Sequence, residues 1–98
     1  RENLLERARR LSQVFRQRLE VLQRECGIIR EVRILGLMIG VELAIEGAPA
    51  VKACLERRLL VNCPHGVVLR LLPPMILTEE QVHQGCDILA EVLKAQAG

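Results

Sequence analysis

Apolar residues recur at intervals of three and four along the first stretch of the chain. Leu4, Ala8, Leu11, Phe15, Leu19 and Leu22 form one stripe, the periodicity of an amphipathic helix. The pattern predicts a helix over residues 2–25, stopped at Gly27. From residue 28 the period changes to two. Residues 28–35 and 37–45 read as strands; in the second, Ile39, Val41 and Leu43 share one face while Met38, Gly40, Glu42 and Ala44 share the other. Gly36 permits a bend or bulge between the two strands. Gly40, lacking a side chain, either lets another group approach the sheet closely or leaves room for a neighbouring side chain. Gly47-Ala48-Pro49 opens a short helix with Pro49 near its first position. Val51, Cys54 and Leu55, with Arg58 at its end, mark the inner side of that helix. Leu59-Leu60-Val61 reads as a short strand, Asn62 to Gly66 as a turn-rich loop and residues 67–72 as another strand. Thr78 and Gln81 spell a capping box, with Glu79 and Glu80 in the first turn. They predict a closing helix over residues 79–95 that turns Val82, Cys86, Leu89, Val92 and Leu93 inward.

Helix, strand, strand, helix, strand, strand, helix is the order of an α+β protein. The expected architecture is a two-layer sandwich: a three- to four-stranded, mainly antiparallel sheet with helices on one face. Ninety-eight residues make one domain. Half of them are apolar, yet Phe15 is the single aromatic residue, so the core has to be aliphatic. The apolar share exceeds what a small isolated domain uses, and the surplus is expected to lie against a neighbouring domain or a partner subunit. A net charge of +2 gives no global field for nucleic acid. The charged face of the first helix mixes Arg1, Arg7, Arg9, Arg10, Arg16, Arg18 and Arg24 with Glu2, Glu6, Glu20 and Glu25, which reads as a solvated face laced with ion pairs. No signal-peptide pattern and no membrane-length apolar run is present.

Four cysteines, at positions 26, 54, 63 and 86, include no CxxC pair, and read as free thiols in a reducing compartment. Cys63-Pro64-His65 and the pair His83 and Cys86 have metal-compatible composition, but no second ligand pair accompanies either, so no metal site is expected. Glycines are dispersed without a phosphate-binding motif. No catalytic residue is identifiable in these 98 positions.

One stretch stands apart. Val67-Val68-Leu69-Arg70-Leu71-Leu72-Pro73-Pro74-Met75 places a cation inside an apolar strand and then stops the strand with two prolines, which cannot donate to a sheet ladder. A guanidinium among Val and Leu is costly to desolvate without an anion. Arg is also the side chain best suited to grip a carboxylate through two parallel hydrogen bonds. Arg70 is therefore either a fork held at the lip of the sheet to grip a carboxylate or half of a structural ion pair with a carboxylate such as Glu42.

Asn62-Cys63-Pro64-His65-Gly66-Val67-Val68-Leu69-Arg70-Leu71-Leu72-Pro73-Pro74-Met75 resembles the C-terminal segment of class III (ornithine-type) aminotransferases, most of all the acetylornithine branch. The upstream run Arg33-Ile34-Leu35-Gly36-Leu37-Met38-Ile39-Gly40-Val41-Glu42-Leu43 resembles the strand pair that precedes it in that family. Order and separation agree, and with the flanking helices the resemblance covers nearly the whole chain. Ile34 departs from it, because the family usually places glycine directly after the arginine matching Arg33. The resemblance implies an α+β C-terminal small domain of a larger, cytoplasmic, homodimeric enzyme. That enzyme uses pyridoxal phosphate to move an amino group from N-acetylornithine, or a related ω-amino substrate, to 2-oxoglutarate in arginine biosynthesis. It implies that Arg70 binds the α-carboxylate of the amino acid or the carboxylate of the 2-oxo acid. The family's cofactor lysine belongs to a large domain expected N-terminal to residue 1. Lys52 and Lys94 are the only lysines here, and neither lies in a matching motif, so this chain alone is expected to bind no cofactor and to be inactive. A stand-alone ligand-binding or regulatory α+β module is the alternative reading.

Overall fold

The structure is a computed structural model that describes residues 4–35, 38–59, 61–63, 66–71 and 78–97. Helix α1 spans Leu4–Glu25, strand β1 Ile29–Leu35, β2 Met38–Leu43, helix α2 Ala48–Glu56, strand β3 Val68–Leu71 and helix α3 Glu79–Ala97. The strands form an antiparallel sheet in the order β1-β2-β3. All three helices contribute to one core on a single face of it, as the α+β reading expected.

Strand alternation decides what that face holds. The rungs Val32↔Val41↔Leu69 and Ile34↔Ile39↔Leu71 point inward, and Ile39, Val41 and Leu69 are fully buried. Ile34, where the resemblance leads one to expect glycine, packs partly buried against this core. Its side chain completes a core rung, so β1 runs on without needing a glycine there. The bend or bulge expected at Gly36 lies outside the described residues; a register shift falls between Ile29 and Glu31.

The five inward residues read for α3 are the five the structure buries: Val82, Cys86, Leu89, Val92 and Leu93. Its N-terminus carries both arms of the capping box. The Gln81 backbone N–H donates to Thr78 Oγ1 at 3.1 Å, and the Thr78 N–H donates to Gln81 Oε1 at 2.9 Å, satisfying two of the donors that a helix start leaves open. On α1, burial starts at Leu11 and runs through Val14, Phe15, Leu19 and Leu22. The first turns carry little of it, and Leu5 is 75% exposed. Gly27 follows α1 but does not adopt a left-handed conformation; the chain turns through an Ile29 N–H to Cys26 carbonyl bond of 3.2 Å.

Helix α2 differs from its reading. Ala50 and Cys54 face the core, whereas Leu55 is 58% exposed and Arg58 lies on the surface. Cys54 is buried and Val51 packs partly buried against the core, as read; Leu55 and Arg58 are the two that depart from the expected inner side. The helix ends in a Schellman motif: Leu59 N–H bonds the Cys54 carbonyl at 2.8 Å and Arg58 N–H bonds the Leu55 carbonyl at 2.9 Å. Arg58 occupies the left-handed position with φ of 65°, where a Cβ is unfavourable. Arg58→Gly is expected to stabilise the chain by about 1 kcal/mol, read as a higher urea midpoint at unchanged slope.

Of the strand expected at Leu59-Leu60-Val61, Leu60 lies outside the described residues, and Leu59 and Val61 are not in a strand. The Leu59 N–H is taken by the Schellman turn, and the described pairing here is an isolated bridge between Asn62 and Arg70.

The four cysteines are free. Burial raises the thiol pKa of Cys86 to about 11, with Arg18 opposing and Asp87 adding to the effect, and burial raises that of Cys54 against the opposing charge of Arg57. Both behave as small core residues rather than as nucleophiles. The charged face of α1 is laced with ion pairs as expected. Arg18 binds Asp87 and the Nδ1 of His83, and Glu25 binds Lys94 at 2.9 Å. These link α1 to α3, while Arg57 and Glu91, 2.8 Å apart, link α2 to α3. Exposed pairs of this kind contribute little stability each and mainly set how the helices align.

Candidate active-site face

The helix-free face of the sheet carries the sequence-predicted residues. Register places Arg33, Gly40 and Arg70 side by side across the three strands, with Glu31 and Glu42 paired one rung along β1 and β2. All project away from the core, because antiparallel partners share a face. Arg70 is locked in place by its backbone. On one side it pairs with Gly40 of β2. On the other it exchanges two hydrogen bonds with Asn62, at 2.8 and 3.1 Å.

Glu42 was the candidate structural partner for Arg70, and the structure gives it to Arg33 instead. Arg33 Nη2 lies 2.6 Å from Glu42 Oε1 and 3.2 Å from Glu31 Oε1. Hydrogen bonding to Glu42, followed by the charge of Glu31, raises the pKa of the Arg33 guanidinium above its ordinary value. Among the described residues no carboxylate pairs with the half-buried Arg70. Glu2 is the one acidic residue outside them.

Gly40 lies directly beside Arg70. A Cβ added there would meet Val68 Cγ1 at 3.9 Å and nothing closer. The packing of the described residues therefore does not require a glycine at this position, and among the described residues the ground next to Arg70 is open to a group approaching from outside the sheet. The tip of the same face is apolar, with Leu35 78% and Met38 47% exposed as a cross-strand pair.

The loop that brings Asn62 to Arg70 rests on a glycine that sequence reasoning treated only as a helix opener. Gly47 donates its N–H to the Gly66 carbonyl at 2.7 Å. A Cβ on it would fall 2.5 Å from Cys63 Sγ, 3.2 Å from Leu69 Cδ2 and 3.3 Å from the Gly66 carbonyl oxygen. Gly66 itself has φ of 78°, the left-handed region that glycine occupies without strain. The sequence signal for this close approach was the pairing of a glycine at each end of the contact, Gly47 and Gly66.

Other candidate chemistry does not assemble. Among the described residues no group of three His, Cys, Asp or Glu side chains could hold a metal ion. His83 is exposed and turned to Arg18 while Cys86 is buried, and Pro64, His65, Pro73 and Pro74 lie outside the described residues. A groove of about 820 Å³ runs between the first turns of α1 and the start of α3, lined by residues such as Arg10, Gln13, Thr78 and Glu79; none of the described residues lining it comes from the sheet. No helix among the described residues is long and apolar enough to cross a membrane.

With this geometry established, comparison with known proteins is direct. The family described as Aminotransferase class-III matches residues 1–93. An acetylornithine aminotransferase of Methanothermobacter thermautotrophicus is 37% identical over 92 residues, 94% of this chain and 24% of that protein. An ornithine aminotransferase of Bordetella pertussis is 41% identical over 99 residues, 98% of this chain and 23% of that protein. Among solved structures, the acetylornithine aminotransferase of Elizabethkingia anophelis superimposes with a TM-score of 0.86 at 31% identity, over 94% of this chain and 24% of that one. The chain thus spans about a quarter of the length of the relatives it matches. A match along nearly the whole chain, in sequence and in fold, places it in the class III aminotransferase family.

Proposed function

We propose that this chain is the C-terminal small domain of a pyridoxal-phosphate-dependent transaminase. The enzyme transfers an amino group from N-acetylornithine, or a related ω-amino substrate, to 2-oxoglutarate in arginine biosynthesis, and Arg70 binds the substrate carboxylate. The observation that carries the reading is the Arg70 guanidinium: backbone-locked, half-buried, beside the open ground at Gly40, with no described carboxylate partner. A cation so placed takes an anionic ligand, and a planar fork suits a carboxylate. The names of its relatives, acetylornithine and ornithine aminotransferase, supply the substrate class. By holding the carboxylate, Arg70 orients the amine or oxo group for reaction, a positioning contribution.

Pyridoxal phosphate, when bound, supplies the electron sink for exchanging the amino group. The lysines of this chain do not suit its covalent attachment: Lys94 is paired with Glu25 at 2.9 Å, and Lys52 is exposed on α2, away from the Arg70 face. The cofactor is accordingly held by residues outside these 98, in a cytoplasmic homodimer, and this chain by itself is inactive. The uncovered sheet face, with Leu35 and Met38 exposed, is where the rest of the enzyme packs. No observation favours a stand-alone ligand-binding or regulatory module.

The test is a substrate panel with the full-length protein that contains this chain. Glutamate formation from 2-oxoglutarate is measured with N-acetylornithine, succinylornithine, ornithine and 4-aminobutyrate. The highest kcat/KM is expected with N-acetylornithine. Absence of transfer from every amine would overturn the reading.

A further inference from the structure

The ion pairs on the open face leave one arginine neutralised and its neighbour free, and the register explains why that matters. Glu42 lies on the same face as Arg70: Gly40 is opposite Arg70 and Glu42 is opposite Val68. Glu42 and Arg70 are therefore diagonal cross-strand neighbours, a separation that long side chains span. An unengaged Glu42 would be the nearest described carboxylate in register with Arg70, and it would compete with any anionic ligand. It is not unengaged. Arg33, on the far side of Gly40, takes Glu42 at 2.6 Å and Glu31 at 3.2 Å. The side chain of Glu42 is 28% exposed, so a cation beside it on the same face competes with water for its charge.

We infer that Arg33 is a positioning residue for the carboxylate site: by holding Glu42 on its own side of Gly40, it keeps the Arg70 guanidinium available to substrate. The inference rests on Arg70 being the carboxylate anchor. It assigns Arg33 no contact with substrate. Two carboxylates, Glu31 and Glu42, already occupy it, so a third anion gains little there, whereas Arg70 has none among the described residues. Glycine at position 40 separates the two guanidinium groups without a side chain that could block the passage of Glu42 between them.

The competition has a size. When a site is occupied by an internal competitor for part of the time, apparent affinity falls by the fraction of time it is free. The strength of a partly exposed ion pair makes that factor roughly twofold to sixfold. Steady-state kinetics of the full-length enzyme should then show, for Arg33→Gln, KM raised by roughly that factor for both the amino-acid and the 2-oxo-acid substrate, with kcat little changed. Adding Glu42→Gln in the same protein should return KM to near the parent value, because the competitor has lost its charge. Arg33→Lys, which keeps a cation to hold Glu42, should lie between the parent and Arg33→Gln.

An unchanged KM in Arg33→Gln, alongside a strong defect in Arg70→Lys, would overturn this inference and leave the carboxylate anchor standing. A raised KM that Glu42→Gln does not restore would also overturn it, since Arg33 would then act on substrate or on the fold directly. If Arg70→Lys itself leaves kcat/KM unchanged, the anchor reading falls and this inference falls with it.

Discussion

Arg70→Lys is expected to lower kcat/KM of the full-length enzyme at least roughly tenfold while leaving the cofactor bound. Lysine keeps the positive charge but loses the planar fork that matches both carboxylate oxygens. A charge-assisted hydrogen bond contributes about 1.5–3 kcal/mol, and losing one of two at this site reaches a tenfold effect at the lower end of that range. Because both half-reactions present a carboxylate, the defect should appear with the amino donor and with the oxo acid alike. The stability side of the same experiment separates binding from structure. If Arg70 were half of a buried ion pair, its removal would cost about 3–5 kcal/mol. The structure pairs Glu42 with Arg33 and leaves Arg70 without a described carboxylate partner. Arg70→Ala should therefore shift the melt of the 98-residue chain by less than about 1 kcal/mol, the range of surface substitutions. A collapse on heating would assign Arg70 a structural role and remove it from the site.

Gly47→Ala is expected to destabilise the chain by about 1–3 kcal/mol, as overpacking of a filled site does. The new Cβ would lie 2.5 Å from Cys63 Sγ, a separation that forces something to move. Cys63 can rotate away at modest cost. The other two neighbours yield less easily. Leu69 is fully buried, with Cδ2 only 3.2 Å from the added atom. The Gly66 carbonyl is held by the hydrogen bond from Gly47 itself. Denaturant unfolding of Gly47→Ala and of Gly47→Ala with Cys63→Ala checks the account: the second change should recover part, but not all, of the loss. Full recovery would mean that only the thiol resists, and no loss at all would mean that the loop is free to lift. The loop matters for the site because it delivers Asn62 to the backbone of Arg70. The same substitution in the full-length enzyme should therefore also raise KM.

Much of the fold was legible before the structure because it rests on local rules. The capping box at Thr78 and Gln81 and the inward residues of α3 follow from helix periodicity and backbone donors within one element. So does the face division of β2, where Ile39, Val41 and Leu43 are buried and Met38 is exposed. Each depends on neighbours three or four residues away, or on strict alternation, and both are written in the chain. The motif around Arg70 was equally visible, since a cation between Val, Leu and two prolines is unusual whatever surrounds it.

Where the reading failed, the deciding partner was distant in sequence or chosen among near-equals. Leu55 scores as an inward residue by hydrophobicity, but α2 turns Ala50 and Cys54 to the core and leaves Leu55 58% exposed. Leu59 and Val61 have strand composition but are not in a strand: the Schellman turn at Arg58, with no glycine to announce it, takes the N–H of Leu59. The choice of Glu42 between Arg33 and Arg70 is of the same kind. Both arginines lie within its reach on one face, and composition cannot rank them. The sequence by itself determined α1, α3, the faces of β2 and the cation in β3, because those arise from backbone geometry and short-range periodicity. Only the tertiary structure decided which charges meet, which side of α2 is buried and how Gly47 meets Gly66. Those outcomes follow from strand register and from contacts of a few ångströms between residues far apart in the chain, where one cross-strand step changes the partner.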